Sequence, residues 1–182
     1  EDLLLDNPVG NGSSAVVRRA VLDAVAFTAA PRGVDEACWF DEQFRRAQGV
    51  EDLDLWLRIA LQSPWRVACL PEVLTWYRLN PGGLSVRGEE MCVSWERAVD
   101  KARAYAPDLV AKAVRPARAR LLRYLASRAV QARQAGAARR LIRRALRNDP
   151  ALLWRQARPT WLTLGATLAL SGLPRAYIST GV

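Results

Sequence analysis

Apolar residues recur at helical spacing along much of the chain, and the clearest such stripe lies in the stretch EDLDLWLRIA, which begins at Glu51. Acidic side chains open this stretch, where they favour the positive end of a helix dipole. Pro64 follows it and cannot continue a helix. The pattern therefore predicts a helix from Glu51 to just before Pro64, with one apolar face formed by Leu53, Trp56, Leu57 and Ala60.

The residues around this helix carry mixed patterns. NGSS at positions 11–14 is typical of a turn with helix-capping hydroxyls, and AVVRRAVLDAV after it suits a short strand that runs into a helix. Pro31 and Gly33 interrupt the periodicity of residues 28–38, which predicts a loop. Beyond Pro64, WRVACL and PEVLTWYR have the composition of two short strands joined by a turn at Pro71, and NPGGLS is predicted to be a loop.

The second half of the chain is patterned as helix. One helix is predicted over residues 89–105, and another starts after Pro107 and is interrupted at Pro116. Two further stripes separated by Gly136 predict a helical hairpin over residues 117–150. Its spacing resembles one tetratricopeptide repeat, with matching residues at Leu122, Leu125, Ala126, Ala138, Ile142, Ala145 and Pro150. The sequence holds no second repeat, so the hairpin is expected to pack on its own neighbours.

The stretch TWLTLGATLALSGL, residues 160–173, is apolar throughout. It is shorter than the roughly 20 apolar residues that a membrane-spanning helix needs. Two alternatives stay open: a helix that belongs to a core or interface, and a segment that lies on a membrane surface.

Charge is unevenly divided between two regions of the 182 residues. Residues 1–100 carry 10 positive and 16 negative side chains, a net charge of −6, whereas residues 101–182 carry 17 and 2, a net charge of +15. Hydrophobic residues make up 51% of the chain, which is typical of a folded protein. We therefore expect two regions, residues 1–88 and the basic helical residues 89–182.

Several classes of catalytic site are excluded by composition. The chain has no histidine, which rules out imidazole bases, Ser-His-Asp and Cys-His nucleophile systems and histidine-ligated zinc. Its three cysteines are odd in number and widely spaced, which does not fit a disulfide framework and favours a reducing cytoplasm. The acidic first residues have no cationic segment typical of a secretory signal. Any chemistry is expected to rest on carboxylates.

Four segments, in this order, resemble the acceptor-side half of family 2 glycosyltransferases: NGSSAVVRRAVLDAV, FDEQF, EDLDLWLRIA, and LPEVLTWYR followed by GGLS. Together they cover residues 8–85. The resemblance implies inverting transfer of a sugar from a nucleotide-sugar donor to an acceptor hydroxyl. It also implies an α/β architecture, part of an A-type glycosyltransferase fold with a mixed sheet between helices, followed here by an all-α region.

The resemblance also implies roles for individual residues. In the family, the Asp of the ED pair takes the proton of the acceptor hydroxyl, and the matching residue is Asp52, with Glu51 beside it. Such a base is needed because a sugar hydroxyl is a poor nucleophile until its proton is removed. The expected substrate-binding residues are Asn11, Gly12, Ser13, Ser14, Asp41, Glu42, Trp56, Tyr77 and Arg78.

Each of these positions also has a purely structural interpretation. The acidic pair suits the first turn of any helix, and the NGSS turn suits an ordinary cap. Trp56 lies at a spacing typical of core residues, and Arg78 suits a surface ion pair as well as a diphosphate.

Members of the family hold Mg²⁺ or Mn²⁺ against the donor diphosphate with a DxD-type cluster in an N-terminal region. Nothing before residue 8 matches that cluster, so the resemblance implies that this chain supplies the acceptor side, binds no metal alone and is inactive alone. Asp52 and Asp54 also form a DxD pattern. Its place on a helix beside the expected base argues against a metal site.

The alternative function is that of a non-enzymatic basic helical module. Residues 109–148 contain Lys112 and eleven arginines but no acidic residue. Such a surface attracts an anionic membrane, nucleic acid or an acidic protein partner. Nucleic acid is the less favoured partner because the sequence has no aromatic-interleaved basic stripe or zinc finger. The expected location is the cytoplasm, including the inner face of the membrane.

Overall fold

A computed structural model describes residues 2–10, 12–30, 33–41, 44, 50–76 and 88–172. The chain divides into two compact units. The first comprises Glu1–Leu79 with Glu89–Val114, and the second comprises Asn80–Gly88 with Arg115–Val182. The predicted boundary near residue 88 stays a prediction.

Helices account for most of the described chain. In order, the elements are α1 (Asp2–Asp6), α2 (Arg19–Ala24), β1 (Phe27–Ala29), β2 (Glu36–Cys38), α3 (Glu51–Gln62), α4 (Gly88–Arg103), α5 (Pro107–Gln131), α6 (Ala135–Asn148), α7 (Leu152–Arg155) and α8 (Ala157–Gly172). None of the described helices is both long and apolar enough to cross a membrane.

The expected α/β architecture with a mixed sheet is wrong. Of the described residues, 65% are helical, and these residues contain one sheet, the two-stranded antiparallel pair β1–β2. The segment predicted as two strands after Pro64 forms no strand as far as residue 76. Its apolar side chains are exposed instead, among them Val73 and Trp76. Because a strand is stabilised by cross-strand pairing, strand-like composition without a paired neighbour does not form a sheet.

The β1–β2 hairpin lies where a loop was predicted. Phe27 pairs with Cys38 and Ala29 with Glu36. Gly33, one of the two residues that indicated a loop, has φ +80° and donates its N–H to the carbonyl of Ala30 at 3.1 Å. Gly33 therefore lies in the connection between the two strands, with a positive φ that residues with a side chain rarely adopt.

Two predicted helices are confirmed, since α3 spans Glu51–Gln62 and α4 spans Gly88–Arg103. The predicted interruption at Pro116 is wrong, because α5 continues through this residue to Gln131. Proline removes one backbone hydrogen bond and crowds the preceding turn. The neighbouring turns are held by burial of small side chains, Ala113, Ala117 and Ala119, which offsets that cost.

The predicted pair of helices beyond Pro116 is also present, as the end of α5 and α6. The chain turns at residues 132–134, where Arg133 has φ 55° and the N–H of Gln134 bonds to the carbonyl of Ala129 at 2.8 Å. Gly136 was expected to make the break but lies inside the first turn of α6. The motif positions other than Pro150 are buried, namely Leu122, Leu125, Ala126, Ala138, Ile142 and Ala145.

Helix α3 is the centre of the first unit. It packs against α1 and α2, and every residue from Leu53 to Ile59 is buried. One cluster joins the apolar side chains of α2 and α3, namely Val21, Val25, Leu55, Trp56 and Ile59. The first turn of α3, with Glu51 and Asp52 only partly buried, therefore marks the edge of this core.

Candidate active site

The Asp52 carboxylate is held between the start of α3 and the turn at Gly12. Its Oδ1 accepts a hydrogen bond from the N–H of Leu53 at 2.7 Å. The backbone N–H of Gly12 donates to the same carboxylate. Val50, before the helix, has an aliphatic side chain and cannot cap the free N–H groups of the first turn. The Asp52 carboxylate thus accepts hydrogen bonds at the start of α3, where the side chain of Val50 accepts none.

Burial raises the pKa of Asp52 above the ordinary value of 3.8, and the charge of Glu51 raises it further. The N–H groups of Leu53 and Gly12 oppose this rise because they stabilise the ionised form. Burial prevails. A carboxylate with a raised pKa accepts a proton more readily than an exposed one, as a general base requires.

Glu51 lies beside Asp52 in the first turn of α3. Its Oε2 is shielded from solvent and has no hydrogen-bond partner among the described residues. A buried acceptor of this kind is normally satisfied by a donor such as water or a hydroxyl. The first turn of α3 therefore offers two carboxyl groups, one tied to backbone N–H groups and one with an oxygen left to accept.

The turn before Ser14 lies against the start of α3. A Cβ placed on Gly12 would be 3.8 Å from the Cβ of Asp52. The turn is shaped by Gly10, which has φ +77°, and by the hydroxyl of Ser14, which donates to the carbonyl of Val9 at 3.0 Å. Ser13 and Ser14 are exposed beside this turn. The structure thus brings Gly12 to Asp52, whereas Asn11 lies outside the described residues.

Asp54, two residues beyond Asp52, faces the interior. Its side chain is fully buried, and its Oδ2 accepts from the Nε of Arg58 at 3.0 Å. The two guanidinium Nη atoms of Arg58 donate to the carbonyls of Val25 and Trp39. One buried arginine therefore ties α3 to the end of α2 and to the residue that follows β2.

A second cation completes this network. The Nζ of Lys101, on α4, lies 3.0 Å from Oδ2 of Asp54 and 2.9 Å from Oδ2 of Asp41. It also lies 4.7 Å from the centre of the Phe27 ring and 5.6 Å from that of Phe44. Aromatic faces attract such a cation. Asp41, expected to contact substrate, is thus engaged in an ion pair.

Tyr105 lies near the same network. Burial and the negative charge of Asp54 raise its pKa to about 12, against the opposing effect of Arg58. The phenol is therefore protonated at neutral pH. Its hydroxyl has no hydrogen-bond partner among the described residues.

Other predicted site residues are placed differently. Trp56 is 3% exposed and belongs to the apolar cluster of α2 and α3, so its ring is core rather than a surface on which a sugar stacks. Glu42, Tyr77 and Arg78 lie outside the described residues, and their roles stay predictions.

The described acidic residues do not form a site for a divalent metal. The described part of the chain has no cluster of three or more acidic, cysteine or histidine side chains able to hold an ion. The second aspartate of the DxD pattern, Asp54, is occupied by two cationic side chains. The acid–base chemistry available to Asp52 needs no metal held by these residues.

Sequence analysis missed Arg58, Lys101 and Tyr105. The spacing of Asp54 and Arg58, four residues apart on a predicted helix, was a usable indication of their ion pair. Lys101 had no such indication, because its partner residues are 47 and 60 positions away.

Comparisons of the chain with protein-family models, with curated proteins and with solved structures gave no match. The resemblance to family 2 glycosyltransferases therefore stays a prediction from the sequence.

Replacing Lys101 with Met is expected to destabilise the fold by about 1–3 kcal/mol, because two charge-assisted hydrogen bonds are lost. Arg103→Met is the matched control on α4. Arg103 pairs with Asp100 at 2.9 Å, but both side chains are more than half exposed, so its loss should cost less than about 1 kcal/mol. Urea denaturation of both variants measures the difference. Equal effects would show that the Lys101 network adds nothing beyond a surface ion pair.

Proposed function

We propose that this chain provides the acceptor side of a glycosyltransferase, in which Asp52 removes the proton of a sugar or lipid-linked hydroxyl. The observation that carries the proposal is the Asp52 carboxylate itself, partly buried, raised in pKa and held by the N–H groups of Leu53 and Gly12. The sequence resemblance also supports the proposal, since Asp52 and the NGSS turn are two of its elements and Gly12 of that turn lies beside Asp52.

The proposed step is a direct displacement. As the acceptor oxygen forms its bond to the anomeric carbon, its proton passes to Asp52, and the bond from that carbon to the nucleoside diphosphate breaks on the opposite face. The diphosphate leaves with the electron pair of that bond, and the configuration of the anomeric carbon is inverted. We assign Glu51 a supporting role beside Asp52, since its charge raises the pKa of that residue.

The proposal assigns the donor to another part of the enzyme. A donor-binding part, which the sequence resemblance does not match in these residues, is expected to bind the nucleotide-sugar and its Mg²⁺ or Mn²⁺. A cytoplasmic position, where nucleotide-sugars are made, fits this chemistry. The two-stranded sheet and the helices described above are the scaffold on which this site is proposed to work.

The proposal predicts a pH dependence. Only ionised Asp52 accepts a proton, so kcat/KM for transfer should fall as pH drops through a pKa that lies above 3.8. The measurement is release of nucleoside diphosphate by the full-length enzyme from a panel of nucleotide-sugars, with saccharide acceptors, over a range of pH.

In Asp52→Asn, the residual kcat/KM should no longer fall as pH drops through the pKa of Asp52; this fall is the acidic limb of the pH profile. Asp23→Asn is the matched control, because Asp23 is an exposed aspartate that pairs with Arg19 on the surface. Its profile should follow the wild type. An unchanged acidic limb in Asp52→Asn would exclude Asp52 as the base.

A further inference from the structure

Helix α8 presents three threonines to the interior and several large apolar side chains to solvent. Thr160, Thr163 and Thr167 are buried. Their hydroxyls donate to the carbonyls of Leu152, Pro159 and Thr163, respectively, at 2.6–3.1 Å. Each threonine is therefore satisfied within α7 and α8. The inward face needs no further polar partner.

The outward face of α8 is apolar over most of its length. Trp161 is 58% exposed, and Leu162 and Leu168 are each 65% exposed. Trp154, on α7, is 67% exposed. We call these four residues the α7–α8 apolar patch. Large apolar side chains that gather on one exposed face mark an interaction surface more often than scattered ones do.

Exposed arginines lie on α7 and α8, which carry this patch, and on α6, which packs against α8. Residues 159–172 of α8 carry no charged side chain, whereas Arg155 and Arg158 are exposed at the helix start. Helix α6 packs against α8. It exposes Arg139, Arg140, Arg143, Arg144 and Arg147. Residues 115–182, which belong to this unit, carry 14 arginines and one acidic side chain, a net charge of +13, so the partner that complements the unit is anionic.

We propose that the α7–α8 apolar patch docks on the surface of an anionic lipid bilayer. A bilayer interface is the partner that matches both properties, since it accepts tryptophan and leucine at the headgroup boundary and attracts arginine to its phosphates. Nucleic acid would engage the arginines but leave the apolar patch in water. This inference is independent of the proposed sugar transfer.

The geometry of α8 fits a helix that lies along the interface. Its 16 residues span about 24 Å, less than the roughly 30 Å hydrocarbon core of a bilayer. The indole Nε1 of Trp161 already donates to the carbonyl of Leu153 at 3.1 Å. That ring therefore enters an apolar layer without carrying an unpaired donor.

The test is sedimentation of the full chain with lipid vesicles at low salt. The wild type should bind vesicles that contain phosphatidylglycerol more strongly than vesicles of phosphatidylcholine alone. The double variant Trp161→Ser/Leu168→Ser should lose about tenfold or more in affinity, because the apolar area that enters the interface is removed. The matched control Trp76→Ser/Leu74→Ser removes the same residue types from exposed positions in the other unit and should change affinity by less than about twofold.

Leu162→Ser is a milder second variant for the case in which the double variant does not fold, as judged by circular dichroism. It should weaken binding in the same direction. Absence of wild-type binding, equal binding to both kinds of vesicle, or equal losses in the double variant and its control would each overturn the proposal. Light scattering without vesicles adds one further outcome: a dimer that the patch variants dissociate would assign the patch to a second copy of the chain and also overturn lipid docking.

Discussion

Replacing Asp52 with Asn is expected to lower kcat of the proposed sugar transfer by about 10²–10⁴, the usual contribution of a general base. The amide oxygen can still accept from the N–H of Leu53 and Gly12, so the turn and the helix start keep their positions. The amide cannot take a proton from the acceptor. Release of nucleoside diphosphate at saturating substrate measures the loss.

Stability separates this result from simple unfolding. Burial raises the pKa of Asp52, so its charge opposes folding once the pH rises through that pKa. Asp52→Asn should therefore unfold at a higher temperature than the wild type at pH 7, and the gap should close as pH falls below 3.8, where the carboxyl is neutral in both states. Glu51→Gln is the neighbouring control and should lose less activity. Full activity in Asp52→Asn would remove the proposed function.

Replacing Arg58 with Met is expected to cost about 3–5 kcal/mol of unfolding free energy, as removal of one partner from a buried ion pair does. The guanidinium is 3% exposed and Asp54 is fully buried. The carbonyls of Val25 and Trp39 would lose their donor as well. Chemical denaturation of the isolated chain, monitored by circular dichroism, measures the change.

Two further variants test whether the cost comes from the buried charge. Arg19→Met breaks an exposed arginine–aspartate pair of the same spacing, with side chains 70% and 53% exposed. It also removes the contact of this guanidinium with the Trp39 ring, 4.2 Å from the ring centre, and should cost less than about 2 kcal/mol in all. Asp54→Leu combined with Arg58→Met should be less destabilised than Arg58→Met alone, because in Arg58→Met the buried Asp54 carboxylate keeps only its contact with Lys101. A loss of equal size in Arg19→Met and Arg58→Met would show that burial adds nothing to this pair.

Asp52 and Arg58, the residues replaced in these variants, both belong to α3. Asp52 and Asp54 are two residues apart, yet one meets the backbone of Gly12 and the other meets Arg58 and Lys101. Because Arg58 anchors α3 to the segments around Val25 and Trp39, it also fixes where the first turn of α3 presents Asp52. We therefore expect Arg58→Met to reduce transfer through the position of the base as well as through stability.

Helix α3 was predictable from local pattern, whereas the partial burial of Asp52 was not. The acidic first turn, the apolar stripe and Pro64 all act within a few residues of one another, so they predict the helix without knowledge of its neighbours. The same holds for α4. The importance of Asp52 came from a sequence resemblance, and the sequence alone left a simple acidic first turn as the alternative.

The sequence by itself determined the helices whose stripes and breakers are local, the absence of histidine chemistry and the concentration of positive charge in residues 101–182. Only the tertiary structure decided that residues 65–76 form no strand, that α5 continues through Pro116 and that α8 turns its threonines inward. It also decided that Asp54 pairs with Arg58 and Lys101 and that burial raises the pKa of Asp52. The physical reason is that strand pairing, burial and ion pairing depend on partners distant in sequence, such as Lys101 for Asp41, whereas helical periodicity is set by neighbours along the chain.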